Sequence, residues 1–499
     1  MTRRSFGALA FAGIFAACSS FGSGDDSPPP AADAGPDAPC GDLASDPKNC
    51  GACGNVCGTA KTCVSGACVP GCDGKIVYVS HDSGSDANDG CTPATAMKSI
   101  GAAVAFVSTQ NLMAHEIHVC RGTYGEHQLI LDHAASLRGA YNCLSWTRAD
   151  KFGFDAQFQD PNETIVENAD YASTSTLDVA TAAVGPGVVI EGFTILGAAA
   201  GDKSSDALLV RDGASPVLTD LKLVGGATSN SGGFGATALQ IRTSANPEVK
   251  RFSFTTGASS SPTYGAAGVL VVDAGVNLHD GAVVGGPSAG GGTGVMGIRA
   301  EQSMAGLPVA ITNVNVGWNG ARATTPASIG AIGISIVNAP VTIKGNHVIG
   351  GGSTCQPNGC STLGIQVVGS PSPQVIGNVV YAGDAASQDG TFNDATFGIQ
   401  MHTTTNAIVA DNAVHAGGRG APATIAASIG IDVLFGTSPT IVGNTVVVTG
   451  GIPGGVLVNG TTVYVYRGGI RFSGTANQSD GARMAHLVGN LVVEMLDMS

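Results

Sequence analysis

The clearest pattern in the chain is an alternation of apolar and polar residues that returns about nine times between residues 207 and 470. Each copy reads Gly-Ile-x-Val, then a polar turn, then a second apolar run that ends in Gly-Asn-x-Val. Residues 364–367 with residues 377–380 are a clear example. Alternation with a period of two predicts short β-strands. Successive copies begin roughly 30 to 39 residues apart, a spacing that indicates a solenoid or a propeller.

The turns favour a solenoid. A propeller blade needs tight antiparallel hairpins, for which Asn-Gly or Asp-Gly turns are typical, and such turns are rare in these repeats. One polar corner and one long glycine-rich loop per copy suit a chain that coils in one direction, so that equivalent strands stack in parallel about 4.8 Å apart.

An asparagine recurs at one place in the repeats. Stacked Asn side chains can bond to one another and to the backbone of a buried bend, which satisfies its polar groups. The alternative, that each Asn is an ordinary turn residue, does not explain their shared register. The predicted ladder consists of Asn313, Asn346, Asn378, Asn412, Asn444 and Asn490.

From about residue 75 to residue 499, the chain resembles the right-handed parallel β-helix proteins of the pectin-lyase-like superfamily. The resemblance implies an all-β fold, a right-handed single-stranded parallel β-helix, and it fixes no function. Besides the repeats, the segments that carry it are Val77–Ser80, residues 84–90 with Pro93, Arg121–Tyr124 and Leu137–Asn142.

Each end of the predicted solenoid has a segment that could cover unpaired strands. Four apolar residues at helical spacing predict an amphipathic helix over residues 97–107, which would cap the first turn. An Asn-Gly turn between alternating strands predicts a hairpin over residues 456–466 at the other end. The four helical positions are Met97, Ile100, Val104 and Val107.

The N-terminus has the features of an export signal. Residues 1–17 combine two arginines with a short apolar stretch, and the following Cys18 completes what resembles a bacterial lipoprotein cleavage box, so we expect its thiol to take the lipid. Ordinary secretion, with Cys18 as a spare thiol, is the alternative, and a twin-arginine-like motif leaves the export route open. Residues 18–39 are rich in Pro, Ala, Ser and Asp and predict a flexible linker. These features predict a lipid-anchored protein of the bacterial envelope, on the outer membrane facing the exterior.

The cysteines predict a disulfide-rich module over residues 40–72, because this segment has too few large apolar residues to form a core. It resembles the small cysteine-rich modules of some bacterial surface proteins. Its CxxC motif leaves zinc as an alternative, but an oxidising compartment favours disulfides.

The number of cysteines agrees with disulfide pairing. Of 13 cysteines, the 12 other than Cys18 form an even set. The predicted disulfide cysteines are Cys40, Cys50, Cys53, Cys57, Cys63 and Cys68, and, enclosing a turn further along, Cys355 and Cys360. The sequence does not show how Cys72, Cys91, Cys120 and Cys143 pair.

Composition excludes some partners. Only 12% of the residues are charged and the net charge is −14, so the chain would repel nucleic-acid phosphates and anionic lipids. After residue 17 no apolar run approaches the length of a membrane span, so we expect contact with the membrane only through the lipid. We assign residues 73–150 to the entry and N-terminal cap, and residues 151–499 to the β-helix.

Polar residues at equivalent positions of the repeats are the candidate binding site. In Gly-Ile-x-Val the apolar side chains point inward, so the residue between them and the one after face solvent, along a groove walled by long loops. The candidate ligand-binding residues are Gln366, Gln400, His402, Asp432 and Arg471. Related enzymes cut acidic polysaccharides with a cluster of carboxylates that holds calcium and a basic residue that removes a proton. Only one carboxylate stands in this column, so we predict no catalytic residues and no cofactor or metal, with calcium as the alternative.

Three functions remain open. The first is a non-catalytic surface lipoprotein that recognises a polysaccharide or a cell-surface protein. The second is a polysaccharide lyase or glycosidase, and the third is a structural spacer.

Overall fold

The structure is a computed structural model that describes the body of the chain in segments. With gaps of one or two residues within some ranges, the described residues are 43–58, 61–109, 116–148, 162–168, 174–198, 205–228, 236–259, 266–285, 296–317, 322–323, 332–355, 361–387, 395–417, 427–448, 466–473 and 486–494. The predicted signal peptide, the linker, Cys18, Cys40, Cys360 and most of the predicted 456–466 hairpin lie outside them.

Eleven parallel strands form the first sheet, which contains the Gly-Ile-x-Val segments. Each strand pairs with its equivalent in the next turn, as a coiled chain requires. The strands are Leu129–Leu131, Ser175–Ala180, Asp206–Arg211, Thr237–Arg242, Ala267–Val272, Met296–Glu301, Ile332–Val337, Ser361–Val368, Ala395–His402, Ala427–Leu434 and Tyr466–Ser473.

The second sheet contains the apolar runs that include Gly-Asn-x-Val, and its strands also pair in parallel. From residue 341 onward each of its strands is split in two by a bend. The strands are Ile76–Val79, Glu116–Cys120, Gly122–Glu126, Ser136–Tyr141, Thr164–Asn168, Val189–Leu196, Val217–Val224, Glu248–Thr255, Val276–Val284, Val309–Gly317, Val341–Lys344, His347–Ile349, Gln374–Ile376, Val379–Tyr381, Ile408–Ala410, Ala413–Ala416, Thr440–Val442, Thr445–Val448, His486–Val488 and Leu491–Glu494.

Shorter elements complete the fold. Parts of the long loops also stack in parallel from turn to turn. These loop strands are Ala227–Thr228 with Ala258–Ser259, and Arg322–Ala323 with Gly352–Cys355 and Ala385–Ser387; an antiparallel pair in the module is Lys61–Val64 with Ala67–Pro70, and the helices are the 3₁₀ turn Pro93–Thr95 and the α-helix Ile100–Thr109. The parallel β-helix predicted from the repeats, with its N-terminal helix, is therefore confirmed.

The repeated Gly and Val of the motif meet inside the solenoid. A Cβ atom added to Gly364 would lie 2.3 Å from Cγ1 of Val380, and one added to Gly398 would lie 2.2 Å from Cγ1 of Val414. Gly is therefore required here by close packing of the two sheets rather than by an unusual backbone angle. In each of these turns, the Val side chain of the second strand occupies the space that a Cβ atom on the Gly of the first strand would need.

The Asn ladder is present over five turns. The backbone N–H and the Nδ2 of Asn378 both donate to Oδ1 of Asn412, each at 2.9 Å, and Nδ2 also donates to the carbonyl of Ile343 at 3.0 Å. The same pattern repeats from turn to turn, so the side-chain amides supply hydrogen-bond partners for the backbone N–H and C=O groups of neighbouring bends. The members are Asn346, Asn378, Asn412, Asn444 and Asn490.

Asn313 does not belong to this ladder, and that part of the prediction is wrong. It is exposed and lies one position earlier, aligned with Gly345, where the bend needs a left-handed backbone (φ 54° for Asn313 and 66° for Gly345). The ladder position of its turn is Val314, whose N–H donates to Oδ1 of Asn346 at 2.8 Å. Asn and Gly both tolerate positive φ, so this Asn is an ordinary corner residue.

The N-terminal helix starts later than predicted. It spans Ile100–Thr109, and Met97 precedes it but is buried. The start is fixed by the buried Glu126 carboxylate, whose oxygens accept the N–H groups of Ile100 (2.6 Å) and Gly101 (3.3 Å). A carboxylate at a helix N-terminus satisfies free donors and suits the helix dipole.

The disulfide-rich module is also confirmed. The structure pairs Cys50 with Cys63 and Cys57 with Cys68, and Cys53 is disulfide-bonded. Among the described residues, Cys50, Cys57 and Cys68 lie close enough together to hold a metal ion, but all three are disulfide-bonded. This favours disulfides over zinc. Two pairings that the sequence left open are Cys72–Cys91 and Cys120–Cys143. Only the backbone of Cys355 is described, so its bond to Cys360 stays a prediction.

Candidate functional site

The predicted polar column has the register expected from the sequence. Gln366 pairs with Gln400, Gln400 with Asp432, and Asp432 with Arg471 on four successive strands of the first sheet. Side-chain hydrogen bonds connect the first three: Gln366 Nε2 donates to Gln400 Oε1 at 3.0 Å, and Gln400 Nε2 donates to Asp432 Oδ2 at 3.3 Å. The side chain of Arg471 lies outside the described residues.

Solvent exposure of this column was predicted wrongly. Asp432 is fully buried, Ser335 is 3% exposed, and Gln366 and Gln400 are half-buried. Further along, the same outer face carries an apolar cluster that is separate from the main core and includes Leu270. The face is covered, so its amides mainly satisfy one another, as buried polar groups must. His402 lies in the neighbouring column, with its ring 5.6 Å from that of Phe435.

At the N-terminal end, this face carries carboxylates that the sequence analysis missed. Asp178 continues the column, because it pairs with Leu209. Arg211 donates hydrogen bonds to the Asp178 carboxylate from Nε (3.0 Å) and Nη2 (3.1 Å). Asp206, one strand on, accepts a hydrogen bond from Thr237 and is buried. Burial raises the pKa of Asp206 to about 7, from 3.8.

A second group of polar residues lies on the outer face of the second sheet, in its first turns. It is built by the strands Ile76–Val79, Glu116–Cys120, Ser136–Tyr141 and Val189–Leu196, which pair side by side and hold their side chains in fixed register. We call it the aromatic–ionic cluster, and its members are Tyr78, Glu116, His118, Arg138, Tyr141, Trp146, Arg148 and Glu191.

Four rings of this cluster touch one another. The rings of His118 and Tyr141 stack with centroids 4.4 Å apart, and Tyr78 meets Trp146 edge-on at 4.8 Å. His118 is largely buried, whereas the two tyrosines and the tryptophan are half-buried. Half-buried Tyr and Trp rings give an apolar face with a polar edge, a combination common at binding surfaces.

Ion pairs frame the rings. Arg138 Nη2 donates to Glu116 Oε1 at 2.9 Å, and Nη1 of the same guanidinium bonds to Glu191 Oε1. Arg148 Nη1 lies 2.8 Å from that Glu191 oxygen. His118 Nε2 lies 2.8 Å from Glu116 Oε2 and 3.2 Å from the Tyr141 hydroxyl. Each ion in the cluster therefore touches at least one partner of opposite charge.

This environment fixes the charge states. Burial lowers the pKa of His118, and the hydrogen bond with Glu116 offsets this only in part, so His118 is neutral near pH 7. For Glu116, partial burial opposes ionisation, but His118 and Arg138 outweigh it and hold the pKa below the usual value. Burial also raises the pKa of Tyr141. The cluster thus combines two arginines and two glutamates with a neutral imidazole.

The loop that contributes Trp146 is anchored by a disulfide and by hydrogen bonds. The Cys120–Cys143 disulfide ties it to the sheet, and Asn142 Oδ1 accepts the N–H groups of Leu144 (2.9 Å) and Ser145 (3.2 Å). At its tip, Leu144 is 92% exposed. A fixed loop that presents an exposed Leu beside a half-buried Trp extends the apolar surface of the cluster outward.

Sequence reasoning missed this site because its residues lie before the clear repeats and come from four separate strands and one loop. One signal was available: Leu137–Asn142 and Val77–Ser80 are among the segments that carry the resemblance to β-helix proteins, and each contains a Tyr. Those tyrosines were not connected, because the parallel register of irregular first turns cannot be read without a repeat.

No protein-family model and no curated protein matches the chain. Among solved structures, it is similar to the A-module of the Azotobacter vinelandii mannuronan C-5 epimerase AlgE4, at 13% identity over 84% of this chain and 97% of that one, with a TM-score of 0.36. It is also similar to tailspike protein 3 of bacteriophage CBA120, at 14% identity over 80% of this chain and 57% of that one (TM-score 0.31). A rhamnogalacturonan lyase matches at 13% identity over 85% and 88%, with a TM-score of 0.27. These values are too low to carry an argument about activity.

Within the described residues, no helix is both long and apolar enough to cross a membrane.

Proposed function

We propose that the protein is a non-catalytic, glycan-binding protein of the bacterial surface, and that a polysaccharide binds on the aromatic–ionic cluster. The observation that carries this proposal is a group of half-buried rings, Tyr78, Tyr141 and Trp146, that is connected through His118 to a network of paired ions. The predicted lipid on Cys18 would hold the protein in the envelope, with the β-helix facing the exterior.

This combination of groups suits a sugar. A pyranose ring has a face of C–H groups that packs on an aromatic ring, and hydroxyls around its rim that exchange hydrogen bonds with charged side chains. Rings and ions in the cluster are within a few ångströms of each other, so one or two sugar units can reach both. Trp, Tyr and Arg are also the residues that most often dominate binding energy.

Binding without cleavage is favoured by how the carboxylates are used. Hydrolysis of a glycosidic bond needs two carboxyl groups free to act as acid and base or nucleophile. In the cluster, Glu191 contacts two arginines and Glu116 contacts Arg138 and His118. Neither carboxylate is poised to exchange a proton with a substrate.

The proposal can be tested by screening the whole chain against plant and bacterial glycans and then measuring affinity by titration calorimetry. Trp146→Ala and Tyr78→Ala should each weaken binding about 10- to 100-fold, the usual effect of removing a central aromatic contact. Tyr381→Ala is the matched control, because Tyr381 is also a half-exposed ring on a strand, stacked on His415 at 4.6 Å, but lies outside the cluster.

Other outcomes would favour the other functions. New unsaturated or reducing chain ends during the titration would favour a lyase or a glycosidase. Binding only to a surface protein, or no binding to any partner, would favour protein recognition or a spacer. Separately, Cys18→Ala should release the protein from the membrane fraction, and unchanged partitioning would refute the lipid anchor.

A further inference from the structure

We infer that the aromatic–ionic cluster selects neutral glycans and rejects polymers of uronic acids. This inference rests on the proposed function, since it names the class of glycan that the same surface would bind. It is argued from the charges of the cluster and from the cost of separating them.

Both cations of the cluster are already paired. Arg138 bridges Glu116 and Glu191, and Arg148 lies 2.8 Å from Glu191. Cations near the cluster are paired too: Arg251, which interacts with the charge of Glu191, lies 2.7 Å from Asp220, and Lys222 has Glu163 3.8 Å away. A uronate carboxylate binds best to an arginine that can turn both N–H groups toward it. Arg138 already uses both of its Nη groups for Glu116 and Glu191, and the charge of Arg148 is already balanced by Glu191.

Displacing the protein carboxylates would be costly. The Glu191 side chain is 7% exposed, so a ligand that took its arginines would leave a buried carboxylate without a cation. Breaking a buried pair in this way is much more unfavourable than breaking a surface pair. His118 adds no positive charge near pH 7, and a chain with net charge −14 repels polyanions at longer range.

A neutral sugar avoids these costs. Its hydroxyls can donate to the remaining lone pairs of Glu116, whose side chain is 37% exposed, while the ion pairs stay intact. Its C–H face can lie on the half-buried rings of Tyr78 and Trp146. The cluster therefore offers hydrogen bonds and stacking but no free charge.

The test compares sugars that differ only in charge. The probes are a panel of neutral oligosaccharides, including (1→4)-linked glucose and galactose hexamers, and the C6-oxidised uronate form of each, titrated into the whole chain. We expect at least one neutral member to bind, and its oxidised form to bind at least tenfold more weakly. Equal or tighter binding of oxidised forms would overturn the inference, as would a failure of every neutral member to bind.

A charge-changing variant sharpens the test. Glu191→Gln removes the shared partner of Arg138 and Arg148, so it should raise the affinity for oxidised hexamers at least tenfold, and 0.5 M salt should abolish the gain. Because Glu191 is buried, Glu116→Gln provides a second variant, which removes one of the two anions bound to Arg138 at a more exposed site.

Glu248→Gln is the control for both variants. The Glu248 side chain is also 37% exposed and pairs with Lys250 and His279 on the same sheet, outside the cluster. No gain in either cluster variant, or an equal gain in the control, would contradict the inference.

The two proposals fail differently. If oxidised hexamers alone bind and Trp146→Ala abolishes that binding, the cluster is still the glycan site and only its selectivity was inferred wrongly. If neither form binds, or if binding is insensitive to Trp146→Ala, the proposed site itself is wrong.

Discussion

Asn378→Leu tests whether the Asn ladder stabilises the fold. Asn378 is 1% exposed and takes part in hydrogen bonds to two neighbouring turns. Leu has a similar size but can neither donate nor accept. The change therefore removes hydrogen bonds with little change in the volume that the side chain fills.

Two buried groups lose the partner that the ladder supplies. The N–H of Asn346 loses its acceptor, Oδ1 of Asn378, and the carbonyl of Ile343 loses its donor, Nδ2 of Asn378. Asn412 is affected less, because its Oδ1 still accepts the backbone N–H of residue 378. An unsatisfied buried group costs about 1–3 kcal/mol, so we expect the free energy of unfolding to fall by about 2–6 kcal/mol.

Urea unfolding followed by circular dichroism measures this loss, and amide hydrogen exchange locates it. The N–H of Asn346 should lose protection more than amides two turns away. Asn315→Leu is the control, because Asn315 is exposed on the Val309–Gly317 strand, next to the ladder position of its turn. Equal unfolding midpoints for the two variants would refute the reasoning, and so would unchanged exchange at Asn346.

Three further predictions concern other parts of the molecule. Because burial raises the folded-state pKa of Asp206 to about 7, folding favours its protonated form, and this stability is complete below about pH 4 and lost as the pH rises through about 7. Asp206→Asn should therefore stabilise the protein at pH 8 by about 1–4 kcal/mol but not at pH 4, and an unchanged pH dependence of urea unfolding would contradict this. Gly364→Ala should destabilise the protein by about 1–3 kcal/mol through overpacking, and adding Val380→Ala should recover part of the loss; additive effects of the two changes in urea unfolding would count against their contact. Replacing Cys120 and Cys143 together by Ser should free the loop that holds Trp146 and weaken glycan binding more than overall stability, whereas unchanged affinity in calorimetry would show that loop rigidity is unimportant.

Where the sequence repeats, it was enough to predict the fold. The alternation and the Gly-Asn-x-Val phrase predicted parallel strands, and the register of Gln366, Gln400 and Asp432 follows from aligning the copies. Alignment by composition failed at Asn313, because Asn also suits a left-handed corner one residue away. The backbone angle of Asn313 and the hydrogen bond from Val314 to Asn346 separate the two roles.

Whether a side chain is exposed to solvent was harder to predict than whether it points toward or away from the core. The alternation showed that Asp432 points away from the core, but not that the outer face is covered. Conversely, the aromatic–ionic cluster joins residues up to 113 positions apart, from Tyr78 to Glu191, in turns without a clear repeat. Such long-range pairing depends on the whole fold, so local patterns could not assemble the site.

The most direct test of glycan binding at the cluster uses its tryptophan. The chain has two tryptophans, Trp146 and Trp318, so Trp318→Phe leaves Trp146 as the single indole. With a glycan chosen by calorimetry, the emission of this variant should shift to shorter wavelength along the same binding curve, because a sugar on the ring excludes water. Trp146→Phe, which keeps Trp318, should show no such shift. A Trp146 spectrum that does not change while calorimetry reports binding would contradict the account.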